Sequence, residues 1–362
     1  RHALTPADAD APNLLLVLKA SAVQHEITRL QQRAVAWSMP VEMVLGEADK
    51  RAKLCKLADW LMVNTTASVQ VRNALADSGQ RLALPRIAEG ALLGAGRVGY
   101  WALTGPDHNP DSGELFAHAT YLFGETRKAA EAALSVAAQL DIIQTGMGCG
   151  SETMLVSDAT ITQHAAAMTT SLLRFHEEGL PQTGQVCIGL QTGDRMGIEG
   201  STHAVAPFER VSLEGDDTNP WTLHVSASVV ERIEADVRAH PTTETGGVLW
   251  GCINEALGAI YIVDLLDAPP DSKRTAATFE LGTQGLEVVK HKRAEQTHGH
   301  LHCVGTWHSH LVPGGPSGQD HQVARTIADS SSHANALLIW TPNGFCGLLA
   351  DAAGVNHSMP RA

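Results

Sequence analysis

Apolar positions recur at helical spacing over residues 14 to 36 (LLLVLKASAVQHEITRLQQRAVA), which predicts a helix. Two short apolar runs follow, VEMVL at 41–45 and DWLMVNTT at 59–66, and both read as strands, the second passing into polar residues. This alternation predicts an α/β layer with parallel strands over the first 100 residues. The Ala-rich stretch from Glu125 to Leu140 and the stretch from Ile161 to Phe175 read as helices, with Ser157, Asp158 and Thr160 available to cap the second. Gly and Asp accumulate from 184 to 218, and EGDDTNP at 214–220 has the composition of a linker. A boundary near residue 215 follows, dividing the chain into 1–215 and 216–362.

Beyond that boundary the rhythm changes. A helical pattern from Ser226 to Ala239 precedes apolar runs at GGVLWG (246–251) and AIYIVDLL (259–266), then a helix near 284–296, CVGTWHSH (303–310), a further helix and ALLIW (336–340). The pattern predicts a mixed sheet flanked by helices, α+β or α/β. There is no internal repeat, heptad run or low-complexity tract.

Composition narrows the function classes. Lys and Arg number 26 against 39 Asp and Glu, a formal net charge of −13, which argues against a chain-wide surface for nucleic acid or anionic membrane. No stretch has the length and apolarity of a membrane helix and no signal peptide is legible, so a cytoplasmic location is expected. Six cysteines (Cys55, Cys149, Cys187, Cys252, Cys303, Cys346) without a Cys-x-x-Cys pair fit free thiols and exclude tetrathiolate zinc. A first residue of Arg rather than Met implies a chain trimmed, cleaved or cut from a longer polypeptide.

Histidine is the informative residue. Eighteen in 362 residues predict about one in any 24-residue window, yet His298, His300, His302, His308, His310 and His321 all lie within residues 298–321. His308 and His310 end an apolar run; on a strand, residues i and i+2 share a face, so both imidazoles converge on one ion. Pro313, Gly314, Gly315 and Pro316 supply a turn, after which Ser317 and Asp320 have the spacing of a helix cap and a first-turn carboxylate. Two imidazoles and one carboxylate leave a tetrahedral position open, the arrangement of catalytic zinc. Glu244, just before an apolar strand and followed by Gly246 and Gly247, is placed to accept a proton. The plainer reading has strand histidines, a helix cap and a solvated Glu244; His298, His300 and His302, at i, i+2, i+4, offer an alternative metal site or a solvated strand edge.

Glu244, His308-x-His310 and Ser317-x-x-Asp320 together resemble the JAMM (MPN-plus) metalloproteases over about residues 221–352. The resemblance implies an α+β metalloprotease domain that binds Zn²⁺ through His308, His310 and Asp320, uses Glu244 as general base and acid, and uses Ser317 to stabilise the tetrahedral oxyanion. Its implied substrates are isopeptide or peptide bonds that follow ubiquitin or a ubiquitin-like protein. The spacing between His310 and Ser317 is one residue shorter than usual in that family, and Leu311 stands where Pro is common.

The first half offers a deceptive motif. GAGRVG (94–99) matches G-x-G-x-x-G, but YWALTGPDHNP follows it and Gly105-Pro106 and Asn109-Pro110 exclude the long helix a dinucleotide fold requires, so glycines of a β-ribbon are expected and no nucleotide cofactor. Arg1-His2-Ala3-Leu4, Lys19-Ala20, Leu57 to Thr66 and Val71-Arg72-Asn73-Ala74-Leu75 instead resemble the distal half of a ThiF-type, ubiquitin-activating-enzyme-like α/β domain, whose phosphate loop would fall before Arg1. Bacterial proteins that join such a domain to a C-terminal JAMM domain, in ubiquitin-like conjugation operons of which some are antiphage, have a similar order. By this resemblance Lys19 and Arg72 would approach nucleotide phosphates, where the plainer reading has surface charges on helices, and a homodimer and a conjugating enzyme become candidate partners. Cys149, in GMGCGS before a helix, would be a thioester-forming thiol or a packed cysteine in a Gly-rich turn.

The expectation is therefore a JAMM-type zinc isopeptidase or peptidase, fused to a partial activating-enzyme-like domain, that processes a ubiquitin-like protein or removes it from conjugates. The rival readings are a scaffold that grips a ubiquitin-like partner without cutting it, and a portion of a split adenylating enzyme.

Overall fold

In the computed structural model the chain is described over residues 36–358, less 38, 78–81, 136–141, 145–151, 155, 195, 214–220, 331–332 and 352–353, together with 21, 24, 25, 27 and 28. Those five early residues are helical, in keeping with the predicted first helix. Helices α1 (Val41–Gly46) and α2 (Ala48–Leu54) precede strand β1 (Met62–Asn64) and helix α3 (Val69–Ala76). The run VEMVL is thus helix, not strand. A five-residue apolar run is too short for its period to decide between the two, and Val44 and Leu45 are buried in this helix, Leu45 within a cluster that holds Val71, Leu75 and Ile87.

Strands β2 (Ile87–Leu93) and β3 (Val98–Leu103) form a hairpin whose turn is the GAGRVG segment, with Gly94, Ala95 and Gly96 all at positive φ. The glycines serve a β-ribbon, as expected. A Cβ on Gly99 would lie 2.3 Å from the ring of His164, so that strand must carry a glycine to admit the helix above it. Helix α4 (Ser112–Gly124) follows, capped by Asp111 and Glu114 in a reciprocal box; it begins directly after the two prolines, a start that the Gly-Pro and Asn-Pro pairs obscured. After α5 (Arg127–Ala133) and the short pair β4 (Ile142–Gln144) and β5 (Glu152–Met154), helix α6 (Asp158–Glu178) is capped by Ser157. Strands β6 (Gly184–Gln191) and β7 (Ile198–Val205) complete a five-stranded sheet in the order β1-β2-β3-β6-β7. Only β1 and β2 run parallel; the other pairs are antiparallel, so the parallel layer expected here is a mixed sheet.

The second sheet begins before residue 215. Strand β8 (Glu209–Leu213) pairs with β9 (Trp221–Val225), and after α7 (Ala227–Ala239) come β10 (Gly246–Asn254), β11 (Ala259–Asp267), the small hairpin β12 (Lys273–Arg274) and β13 (Phe279–Glu280), α8 (Leu286–Gln296), β14 (His302–Ser309), α9 (Gly318–Ser330), β15 (Asn335–Thr341), β16 (Gly344–Asp351) and β17 (Gly354–Ser358). The eight strands are ordered β17-β16-β15-β14-β10-β11-β9-β8, with parallel neighbours only at β9/β11 and β14/β15. Val229, Ile233 and Val237 of α7, at i, i+4 and i+8, are buried on one face of this sheet with Leu223, Ile260, Ile262 and Leu338. Among the described residues no helix is long and apolar enough to cross a membrane.

Helix α4 lies between the two sheets. Leu115 and Phe123 share one apolar cluster with Tyr100 and Val186 of the first sheet and Trp250, Tyr261 and Val263 of the second. A buried ionic network sits at the helix's start. Arg210 of β8 donates from Nε and Nη2 to the two Glu114 oxygens, both at 2.7 Å, and from Nη2 to Asp111 Oδ2 at 3.2 Å and the His108 carbonyl at 2.8 Å. His224 Nδ1 lies 2.6 Å from Glu114 Oε1. Burial would raise the Glu114 pKa, but the hydrogen bonds from His224 and Arg210 hold it down to about 2, while burial and the Glu114 charge push Asp111 up to about 6. Arg210→Ala strands a buried carboxylate without its cation and is expected to cost about 3–5 kcal/mol of stability, read as a fall in the urea midpoint. A loss below about 1 kcal/mol, the scale of an exposed ion pair, would contradict this role.

Candidate metal centre

The site is assembled where β10, β14 and the start of α9 meet. Strand β14 is antiparallel to β10, with His308 opposite Gly246, and parallel to β15, with His308 opposite Ile339. His310 lies just past the strand's end, and its backbone N–H still donates to the Trp340 carbonyl at 2.9 Å, which keeps the segment extended. Alternation along that segment brings both rings to one side, their centroids 5.0 Å apart.

Asp320 arrives from the other direction. Ser317 caps α9: its hydroxyl accepts from the Asp320 N–H at 3.2 Å, and its own N–H donates to Asp320 Oδ2 at 2.6 Å. This reciprocal cap turns the carboxylate back toward the histidines. His308 Nε2 lies 3.1 Å from His310 Nε2 and 3.2 Å from Asp320 Oδ1, and His310 Nε2 lies 3.3 Å from Asp320 Oδ2. With metal–ligand bonds of about 2.0–2.1 Å, the edges of a tetrahedron are about 3.3–3.4 Å. The His308–His310 and His308–Oδ1 separations match such edges and the remaining short contact runs to the second carboxylate oxygen, so two imidazoles and one carboxylate fit a zinc ion in chemistry and in closeness and would leave a tetrahedral position open.

The electrostatics agree with that fit. Burial would raise the pKa of Asp320, but hydrogen bonds from His308, His310 and Ser317 hold it well below the usual carboxylate range. The hydrogen bond to Asp320 raises the pKa of His310 above its ordinary value. Glu244 is buried beside the group, and burial raises its carboxyl pKa, partly offset by the charges of His310 and His308. It does not belong to the set of mutually close ligand atoms formed by His308, His310 and Asp320. This separation suits a proton acceptor better than a ligand.

Gly246 explains how Glu244 comes so near. A Cβ there would lie 2.2 Å from the Trp307 carbonyl oxygen and 2.6 Å from the Phe279 ring, so only glycine lets β14 and the 273–280 hairpin close over the start of β10. Several contributors carry no motif signal. Thr245 and Ser309 exchange backbone and hydroxyl bonds, with Ser309 Oγ accepting from the Thr245 N–H at 3.0 Å and the Thr245 carbonyl accepting from the Ser309 N–H at 2.8 Å. Thr245 Oγ1 donates to Asp236 Oδ2 at 2.6 Å and accepts from Arg274 Nε at 3.1 Å, and the Glu244 N–H donates to the Thr275 carbonyl at 2.7 Å.

Residues 226–350 match the family model described as prokaryotic homologs of the JAB domain. The C-terminal part of the chain carries a JAB-like domain. The chain is also 34% identical, over 116 residues, to a protein of Enterobacter hormaechei subsp. hoffmannii (strain UCI 50) described as a CD-NTase/cGAS isopeptidase; the alignment covers 31% of this chain and 62% of that protein. The chain thus spans less than two thirds of that curated relative.

Other sequence candidates lie apart from the JAB-like centre. His298 sits in a turn at positive φ, His300 Nε2 is 3.2 Å from the Leu134 carbonyl, and His302 opens β14; they form no ligand cluster among the described residues. Arg72 is buried, paired with Glu89 at 2.7 Å and stacked 3.8 Å from the Phe116 ring centre, so it is no surface charge. Arg1, Lys19 and Cys149 lie outside the described residues. The second ligand-like cluster, Asp111, Glu114 and His224, is the network that Arg210 fills.

A zinc ion held by this group would have to displace any proton on His310. Because that residue's pKa is raised, proton competition begins above the ordinary imidazole value of about 6.5, and zinc affinity of the JAB-like domain is expected to fall as pH is lowered through this window. Chelator competition between about pH 8 and 5 measures it, and an affinity flat over that range would contradict the ligand assignment.

Proposed function

We propose that this chain is a zinc-dependent isopeptidase or peptidase that cleaves the amide bond following a ubiquitin-like protein, processing a precursor or removing the protein from conjugates. The observation that carries the reading is the convergence of His308, His310 and Asp320 within 3.1–3.3 Å beside a buried Glu244. The family match over residues 226–350 and the isopeptidase named among its relatives support it.

His308, His310 and Asp320 would hold the metal. Bound there, zinc supplies a Lewis acid that polarises a carbonyl and brings the pKa of water toward neutrality. The Glu244 carboxylate takes the proton of the attacking water as its oxygen bonds to the scissile carbonyl carbon, then returns that proton to the amine nitrogen as the C–N bond breaks. A base buried at the edge of the sheet keeps this proton out of bulk solvent. Ser317, whose hydroxyl caps α9 against Asp320, would turn its O–H from the Asp320 carboxylate to the carbonyl oxygen as negative charge develops there.

The N-terminal part is read from the sequence resemblance as the distal half of a ThiF-type domain meeting the metalloprotease domain near residue 215. On that reading the chain works within a ubiquitin-like conjugation system, and a homodimer and a conjugating enzyme are candidate partners.

The test separates proton transfer from metal binding. Glu244→Gln is expected to retain about one zinc per chain and lose turnover on fusions of ubiquitin-like proteins to a reporter, whereas His308→Ala and Asp320→Ala lose both. Metal analysis and cleavage assays on the same preparations decide it. Wild-type turnover by Glu244→Gln would overturn the assignment.

A further inference from the structure

Among the described residues the carboxylate of Glu244 has no hydrogen-bond partner, so its placement depends on the backbone that carries it. Three bonds pin that backbone: the Glu244 N–H to the Thr275 carbonyl, the Thr245 N–H to Ser309 Oγ, and the Ser309 N–H to the Thr245 carbonyl. Ser309 stands between His308 and His310, so one pair of residues sets the register of the proton acceptor against the metal ligands.

Thr245 does more than this backbone exchange requires. Its side chain is fully buried, and its hydroxyl donates to Asp236 of α7 while accepting from Arg274 of β12. A buried hydroxyl with both roles filled ties three elements into a common register. The hairpin contributes further contacts: the Arg274 guanidinium lies 5.7 Å from the Phe279 ring centre, and the Phe279 ring presses on Gly246. The 273–280 hairpin therefore touches residues 244, 245 and 246 in turn, through the Thr275 carbonyl, the Arg274 guanidinium and the Phe279 ring.

We propose that Thr245 is a positioning residue, and that Arg274 acts through it, making the placement of Glu244 depend on the position of the 273–280 hairpin. Neither residue touches the reacting atoms. The kinetic consequence rests on the isopeptidase reading, and the structural one does not. Anything that moves the hairpin alters the Thr245 and Thr275 bonds together and shifts Glu244, while His308, His310 and Asp320 remain held by β15 and the α9 cap. The hairpin is thereby a control on proton transfer separate from metal binding.

The test compares Thr245→Val, Thr245→Ser and Arg274→Ala in the full zinc-loaded chain. Val keeps the shape and loses the hydroxyl; Ser keeps the hydroxyl. Zinc content and affinity are expected to match wild type in all three. In Thr245→Val and Arg274→Ala, amide hydrogen exchange of the peptide spanning residues 242–247 is expected to quicken. On a ubiquitin-like fusion that the wild type cleaves, kcat is expected to fall by about 10–100-fold, the range for residues that orient an active-site group, with KM changed less than about threefold. Thr245→Ser is expected to restore both exchange and kcat. Wild-type exchange in Thr245→Val and Arg274→Ala, or a Thr245→Ser variant as impaired as Thr245→Val, overturns the proposal. If Thr245→Val fails to fold, Arg274→Ala carries the comparison alone. If the wild type cleaves no fusion, the isopeptidase reading has failed, and the exchange data still decide the positioning role.

Discussion

The antiparallel contact between the start of β10 and the end of β14 is the constraint on which the site depends. Gly246 faces His308 with no room for a side chain between the strands. At that closeness two chain segments 64 residues apart exchange the Thr245 and Ser309 bonds, and Glu244 is brought beside two imidazoles. A larger residue at 246 would push apart the elements that carry the proton acceptor and the ligands. Close approach of backbone is one of the few tasks for which glycine has no substitute.

Given that contact, the third ligand is a problem of helix capping. A carboxylate buried beside two imidazoles is costly unless its oxygens are bonded. Asp320 meets this through the Ser317 amide, at a helix N-terminus whose dipole also favours negative charge. The same residue thus caps α9 and completes the ligand set, which couples folding of the helix to assembly of the site. The depressed Asp320 pKa and the raised His310 pKa express one attraction from its two sides.

The two sheets are bound to each other as well as to their own helices. Helix α4 contributes apolar side chains to a core drawn from both, and its first turn carries the carboxylates that Arg210 and His224 grip from β8 and β9. Such a network fixes register better than it adds net stability, since its hydrogen bonds mainly offset desolvation. The hydrophobic contact supplies the adhesion, and the ionic contact specifies one arrangement of the sheets.

Much of the second sheet is legible in the amino-acid pattern. Its helices α7, α8 and α9 and strands β10, β11, β14 and β15 lie close to where the apolar positions place them: α7 buries a single stripe of Val229, Ile233 and Val237, and β10 and β11 are continuous apolar runs buried on both faces. His308, His310 and Asp320 are legible for a local reason: alternation along a strand and the spacing of a helix cap are written within a dozen residues. The first sheet is less legible. VEMVL is too short to reveal a helix, α4 is hidden behind two prolines, and strand direction depends on pairing that no local pattern encodes. The sequence by itself determined which donors could share a metal, whereas tertiary structure alone decided what holds Glu244 against them. Thr245, Ser309, Asp236 and Arg274 are ordinary polar residues scattered over more than 70 positions. Hydrogen bonds between such residues exist only once burial has removed their water and backbone packing has brought donor and acceptor within about 3 Å.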